Sequence, residues 1–287
     1  MGDYGPSVSL PQTQVSEKPH QPSTQFDEIS VLVTGFGPFK TNLVNASYLI
    51  ASSLPSSFEF PSTDASGPLS RRVSIHVHPS PIPVAYSTVR ETLPVILEDY
   101  AKSHEGRRPD IVIHIGIAAT RNYYSVETQA RRDHYHMSDI KGKTGYEDGE
   151  RLWRELGLPP VLRAGRATDA PMSPKGPTIP VSATRKDVTQ ALRLPVNPCP
   201  PDEDLLEAWE SFVSPGVDVR ISDDAGRYLC EFIYYTSLAL AYREGQNRNA
   251  VFFHVPGACD DGAIETGKDV AIALIKSLVA CWIDQKA

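Results

Sequence analysis

Three stretches of this chain, ISVLVTGFGPF from Ile29, DIVIHIGIA from Asp110 and AVFFHVP from Ala250, are apolar runs of strand length that lead into Gly or Pro. A strand apolar at nearly every position cannot lie with one face in water. It needs cover on both faces, which is the condition of a parallel sheet between layers of helices. The intervening sequence supplies those helices. ASYLIASSL and the long VAYSTVRETLPVILEDYAKSH have helical periodicity, the latter around a proline. SDDAGRYLCEFIYYTSLALA, residues 222–241, reads as carrying a helix with Cys230 one turn in, and a final one runs from about Lys268 to Trp282. RRVSIHVHPSPI alternates like a strand, VDVRIS is another, and NYYSVETQARRD reads as a third, more amphipathic one. Strands alternating with helices imply an α/β fold of three layers, a mostly parallel twisted sheet with helices on both faces.

The length of 287 residues allows one large domain of this kind. Residues 1–28 are rich in Ser, Pro, Gln and Thr and are expected to be a disordered tail. Residues 29–287 are then a single α/β domain. It carries a proline-rich insertion at about 147–216, expected to lie on the surface, whose only clear periodicity is in ERLWREL and DLLEAWESF.

A formal net charge of −7 and the lack of any long Lys/Arg run argue against nucleic-acid binding. The most apolar long segment, DVAIALIKSLVACWI, is interrupted by Lys276 and too short to span a bilayer, so no membrane association is expected. The N-terminus has neither the basic start nor the apolar core of a signal peptide. A cytoplasmic protein is therefore expected. Its four cysteines, at 199, 230, 259 and 281, have no CxxC spacing and should be free thiols.

In open α/β sheets, sites form beyond the carboxyl ends of the strands. There the chain places GFGPF at 35–39, GIAATR at 116–121, SDDAG at 222–226 and His254. If Ser222 or Asp223 caps the following helix, Cys230 falls in its first two turns, where the dipole favours thiolate. By itself a cysteine in LCEFIYY is as well a core residue. His254 suits a base and Glu127 an acid that orients it, though each has a plainer reading as a packing or solvent-facing strand residue. His76-x-His78 and His134-x-His136 put imidazole pairs on one strand face. No carboxylate or cysteine has the spacing to complete a metal site with either. Gly35-Phe36-Gly37 lacks the third glycine of a dinucleotide fingerprint, because Lys40 stands there.

Taken together, VLVTGFGPF followed by VNAS, IGIAATRNYYSVE, SDDAGRYLCEFIYYTSL and FFHVP resemble the pyroglutamyl peptidase I family, the cysteine pyrrolidone-carboxyl peptidases. The cysteine block is most similar to animal-type members, and the blocks occur in the family's order, Glu, Cys, His. The resemblance implies a phosphorylase/hydrolase-like sheet architecture and an enzyme that hydrolyses the amide after an N-terminal pyroglutamyl residue. Cys230 would be the nucleophile, His254 the base and Glu127 its orienting acid. Phe36, Phe39, Asn45, Tyr228 and Leu229 would bind the lactam ring. The implied partners are N-terminally pyroglutamylated peptides, with no metal and no cofactor, and a homo-oligomer is compatible with it. The surroundings depart from bacterial members at Lys40, Ala46, Ile117, Glu231 and residues 128–133. A cysteine hydrolase of another small amide and a non-catalytic interaction module remain alternatives. An intact set of Glu127, Cys230 and His254 favours catalysis.

Overall fold

The computed structural model describes residues 28–39, 43–61, 70–169 and 196–284. In chain order the elements are β1 (Glu28–Gly35), α1 (Ala46–Ser53), β2 (Ser57–Pro61), β3 (Ser70–Val77), α2 (Tyr86–Ser103), β4 (Ile111–Ile117), β5 (Tyr124–Glu127), β6 (Ala130–Arg131), α3 (Arg151–Glu155), β7 (Val161–Leu162), α4 (Glu203–Phe212), β8 (Val219–Ser222), α5 (Leu229–Arg243), β9 (Ala250–Val255) and α6 (Asp261–Trp282). A π-helical turn, Tyr146–Glu150, leads into α3. Seven strands form one sheet in the order β2-β3-β1-β4-β9-β5-β8, and β6 and β7 form a separate antiparallel pair.

The strands β3, β1, β4 and β9 are mutually parallel. At one edge β2 is antiparallel to β3. At the other, β5 runs antiparallel to β9, with β8 parallel to β5. The mostly parallel sheet expected from the apolar runs is therefore present, with a reversed pair at one side.

Strand alternation divides the two faces by chemistry. Val31, Val33, Ile113, Ile115, Val251 and Phe253 point to one face and form a core with α1, α4 and α6. Leu32, Val112 and Phe252 point to the other, under α2 and α5. The first face is almost wholly apolar. On the second, these strands present Thr34, His114 and His254 and β5 adds Ser125 and Glu127, all buried. Polar chemistry is thus confined to the side that α5 covers.

Several local expectations change. NYYSVE is not amphipathic; β5 is buried at all four positions because it lies between β9 and β8. SFEFP, not anticipated as a strand, pairs with β3 as β2. The last helix opens at Asp261, well before Lys268, because the Asp260 carboxylate accepts the Ala263 N–H and caps it. His134 and His136 lie outside any strand. Among the described residues no group of three or more His, Cys, Asp or Glu is placed to hold a metal ion. No described helix is long and apolar enough to cross a membrane.

The described parts of 147–216 do not lie merely on the surface. Trp153 from α3 packs against Phe232 and Tyr235 of α5. On the opposite face, the DLLEAWESF helix α4 is capped by Asp202 and buries Leu205 and Trp209. Trp209 donates its indole N–H to the Val270 carbonyl at 3.2 Å and stands edge-on to Phe253. Of the tail expected over 1–28, Glu28 opens β1 and residues 1–27 lie outside the described residues, as do 170–195 within the insertion.

Two measurements test this packing. Trp209→Ala removes a fully buried ring and should lower unfolding free energy by about 3–5 kcal/mol; a loss under about 1 kcal/mol would mean that α4 is a detachable appendage. The second concerns His114, whose Nδ1 sits 2.8 Å from Thr34 Oγ1 while its buried Nε2 meets no hydrogen-bond partner among the described residues. Burial lowers its pKa from 6.5 to about 3, so the folded protein holds it neutral while the unfolded chain protonates it. Its contribution to stability is complete above about 6.5 and lost as pH falls toward 3. Chemical denaturation should show about 2 kcal/mol of that loss at pH 5. His114→Gln should flatten the pH dependence, and identical slopes for both proteins would refute the assignment.

Candidate active site

The site is assembled around Gly116, near the carboxyl end of β4. Gly116 is the register partner of His254 on β9. Over it lies Cys230, the second residue of α5. A methyl group at position 116 would stand 3.0 Å from Cys230 Sγ and 2.5 Å from the Phe252 ring, so only glycine lets α5 approach this closely. Glu127 lies diagonally across the antiparallel β5–β9 ladder, opposite Phe252 and two residues removed from His254's partner Ser125. The diagonal brings the two side chains together on one face. The His254 Nδ1–H donates to Glu127 Oε1 at 2.7 Å, and the pair is almost wholly buried. That bond leaves Nε2 as the imidazole nitrogen available for proton transfer. Among the described residues, no hydrogen bond joins Cys230 Sγ to His254.

The convergence of four carboxyl ends is only partly realised. Those of β1, β4 and β9 do share one edge of the sheet, but β8 runs the opposite way together with β5, and Glu127 is reached by the diagonal instead. After β8 the chain returns through loop 223–228. Gly226 and Arg227 both adopt left-handed conformations there, with φ of 93° and 50°. The second is strained for a non-glycine residue. Glu231 restrains it: the carboxylate accepts the Arg227 main-chain N–H at 3.2 Å and its guanidinium at 2.9 and 3.0 Å. It also accepts the Arg131 N–H at 3.1 Å. The helix consequently starts at Leu229, with Tyr228 as an N-cap whose side chain does not cap the helix and whose hydroxyl donates to the Ser138 carbonyl at 3.1 Å instead. Neither Ser222 nor Asp223 caps it, because Ser222 ends β8 and Asp223 only opens the loop, well ahead of Tyr228.

Electrostatics separate the acid from the thiol. Burial alone would raise the Glu127 pKa, but the hydrogen bond and charge of His254, with Ser222 and Arg121, hold it below the usual carboxylate value. Cys230 is pushed up to about 12 from 9.0, by burial first and then by the Glu127 charge. That penalty is worth roughly 4 kcal/mol against the thiolate. A helix terminus returns only about 1 kcal/mol, so burial wins and the thiol keeps its proton.

The ring-binding residues divide into two groups. Phe36 and Leu229 are buried in the core beneath α2 and α5. Phe39 and Tyr228 remain partly exposed and pack together at 5.3 Å, with Tyr228 edge-on to Tyr86. Asn45 is spent on the turn. Its Oδ1 accepts from Ser47 N and Oγ, and its Nδ2 donates to the Gly37 carbonyl at 2.8 Å. It therefore holds GFGPF in place. Of the departing positions, Ala46 opens α1, Ile117 ends β4, and Lys40 lies outside the described residues. Cys259 faces the Gly257 and Val44 carbonyls.

Three supporting residues escaped sequence reading. Tyr234 donates to the Glu127 carbonyl at 3.1 Å; its place one turn beyond Cys230 was a usable signal. Ser125 shares the Glu127 face, as any i, i+2 strand pair must. Arg121, 3.3 Å from Glu127 Oε1, gave no signal, because it reaches the site from a loop.

No family model matches the chain. It is similar to pyroglutamyl-peptidase 1 of Rattus norvegicus, 30% identical over 227 residues, covering 79% of this chain and 78% of that one. Pyrrolidone-carboxylate peptidase of Pyrococcus furiosus is 25% identical over 228 residues, covering 79% and 81%. Among solved structures, the pyrrolidone carboxyl peptidase of Pyrococcus furiosus matches with a TM-score of 0.54 at 19% identity, over 88% of this chain and 98% of that one. That of Thermococcus litoralis gives 0.54 at 18%, over 90% and 99%. The two structures speak to the fold, and the rat relative to descent: the chain that sets Cys230 over Gly116 and pairs Glu127 with His254 belongs to the pyroglutamyl-peptidase family.

Proposed function

We propose that this protein is a cysteine peptidase that hydrolyses the amide bond after an N-terminal pyroglutamyl residue of peptides, acting as an exopeptidase in the cytoplasm. The observation that carries the proposal is the 2.7 Å Glu127–His254 pair, with Cys230 Sγ packed against the glycine that His254 faces in the ladder. The four free cysteines fit a reducing compartment.

Because the resting thiol is protonated, His254 acts as a general base at the moment of attack. Cys230 Sγ bonds to the pyroglutamyl carbonyl carbon, the thiol proton passes to His254, and the carbonyl electron pair moves to oxygen. The first N–H groups of α5, including those of Leu229 and Cys230, have no carbonyl within the helix and suit that oxyanion. Collapse breaks the C–N bond, with His254 returning the proton to the leaving amine. Water then attacks the thioester carbon as His254 takes its proton, and the C–S bond breaks with that proton passing from His254 to the Cys230 sulfur. Glu127 stabilises the imidazolium at each stage. Phe39 and Tyr228 supply the aromatic wall for a flat, neutral lactam.

Cys230→Ser should lower turnover of a pyroglutamyl fluorogenic amide by at least about 10³-fold without changing the melting temperature. Gly116→Ala should cost about 10–100-fold by displacing Sγ; full activity in that variant would contradict the placement of Cys230. Selectivity is a separate test. An N-terminal proline has the same ring size but a charged amine and no lactam carbonyl, so an aromatic pocket would desolvate its charge without compensation. Prolyl and glutaminyl amides should be turned over about 10⁴-fold more slowly than the pyroglutamyl amide. Rates within about tenfold of each other would mean that the lactam assignment is wrong even with the triad right.

A further inference from the structure

The loop between β4 and β5 brings a cation to the buried carboxylate. Arg121 Nη1 donates to Ser125 Oγ at 2.8 Å and to Glu127 Oε1 at 3.3 Å, and Nη2 donates to the Asp224 carbonyl at 3.3 Å. One guanidinium therefore touches both the acid that orients His254 and the loop that leads into Cys230. This is not an ordinary surface ion pair. Glu127 has no exposed surface, and Arg121 is only 23% exposed. Glu127 Oε1 is a shared acceptor: His254 donates to it from β9, Arg121 from the loop and Ser125 from β5 itself.

We propose that Arg121 is a positioning residue that keeps Glu127 ionised and aimed at His254, and ties that carboxylate to loop 223–228, so that base and nucleophile hold one geometry. The inference rests on the reading above in taking Cys230 and His254 as the reacting pair. The charge balance explains why a cation belongs here. A buried carboxylate beside a neutral imidazole tends to take up a proton, and once protonated it no longer holds His254 in the required tautomer. The Arg121 charge opposes that protonation. The charged and titratable neighbours of Glu127 are His254 from β9, Arg121 and, from α5, Cys230, while Ser222 of β8 and Tyr234 of α5 bond to it as neutral groups. Those of Cys230 are Glu127, Arg121, Glu231, Tyr86 and Tyr228.

Arg121→Gln keeps hydrogen-bonding capacity and removes the charge; Arg121→Lys keeps the charge and loses the fork. Three readouts separate the roles: the pH profile of kcat/KM on a pyroglutamyl fluorogenic amide, the pH profile of Cys230 alkylation by iodoacetamide, and the melting temperature. Removing a positive charge raises the proton affinity of every group nearby. Arg121→Gln should therefore lose about 10–100-fold in kcat/KM, mainly through kcat, and move the acid limbs of both pH profiles to higher pH. Arg121→Lys should restore both limbs while recovering only part of the rate. Acid limbs in Arg121→Gln that match the wild type would overturn the proposal, whether or not the melting temperature falls. A lysine variant with limbs displaced like those of the glutamine variant would overturn it too. Alkylation needs no substrate, so its profile decides the role of Arg121 even if pyroglutamyl amides are not turned over and the peptidase reading fails.

Discussion

A carboxylate with no exposed surface is the group around which this sheet is arranged. Leaving Glu127 charged and unpartnered in the core would cost several kcal/mol, so the fold must bring donors to it from separate elements. His254 arrives on β9, Arg121 on the β4–β5 loop, and Tyr234 of α5 fixes the residue's own carbonyl. The reversal of β5 serves this end. In an antiparallel ladder, close and diagonal neighbours alternate along one face, and the diagonal sets a glutamate opposite Phe252 against the histidine two residues on. A parallel β5 would present a different register. The reversed β5–β8 pair is thus part of the site as well as the edge of the sheet.

Cys230 is placed by an opposite logic. Glu127 is buried with partners, whereas Cys230 is packed against the Gly116 backbone and next to that same negative charge. Both effects keep the proton on sulfur. A resting thiol makes the site depend on the base, since attack and proton transfer must occur together. That dependence returns the weight to the orientation of His254. Position 116 matters for the same reason: any side chain there would push α5 away from the sheet and lengthen the path between sulfur and imidazole.

The parts of this arrangement legible in the sequence are those set by local periodicity. ISVLVTG, DIVIHIGI and AVFFHV announce buried strands because nothing else explains so many consecutive apolar residues, and their alternation with helices gives the layered sheet. Cys230, His254 and Glu127 were found as chemistry-bearing residues in strand-end or helix-start positions. Direction and register were not legible. NYYSVE gives no indication that it runs against β9, because strand direction depends on which partner it meets. The start of α5 was misplaced for a related reason. Ser222 and Asp223 are good caps by composition, but the left-handed pair Gly226–Arg227, restrained from four residues ahead by Glu231, delays the helix to Leu229. Glu231 registers in the sequence only as a departure from asparagine; its work is done through contacts distant from any motif.

The region 147–216 shows how such contacts can bind a segment that looks dispensable. Its proline density suggests a surface excursion, yet its described helices place Trp153 beneath α5 and Trp209 between α6 and β9. It also touches the nucleophile's loop. Arg163 donates to Gln129 Oε1 at 2.8 Å, and Gln129 Nε2 donates to the Asp223 carbonyl at 3.1 Å. Asp224, the next residue, offers its carbonyl to Arg121 from the other side. Two consecutive carbonyls ahead of the strained Gly226–Arg227 turn are therefore held by donors from opposite directions, one supported by the region 147–216 and one bound to the Glu127 carboxylate. A left-handed arginine is kept only where its neighbours over-determine the backbone, and these bonds, with the Glu231 clamp behind them, supply that constraint.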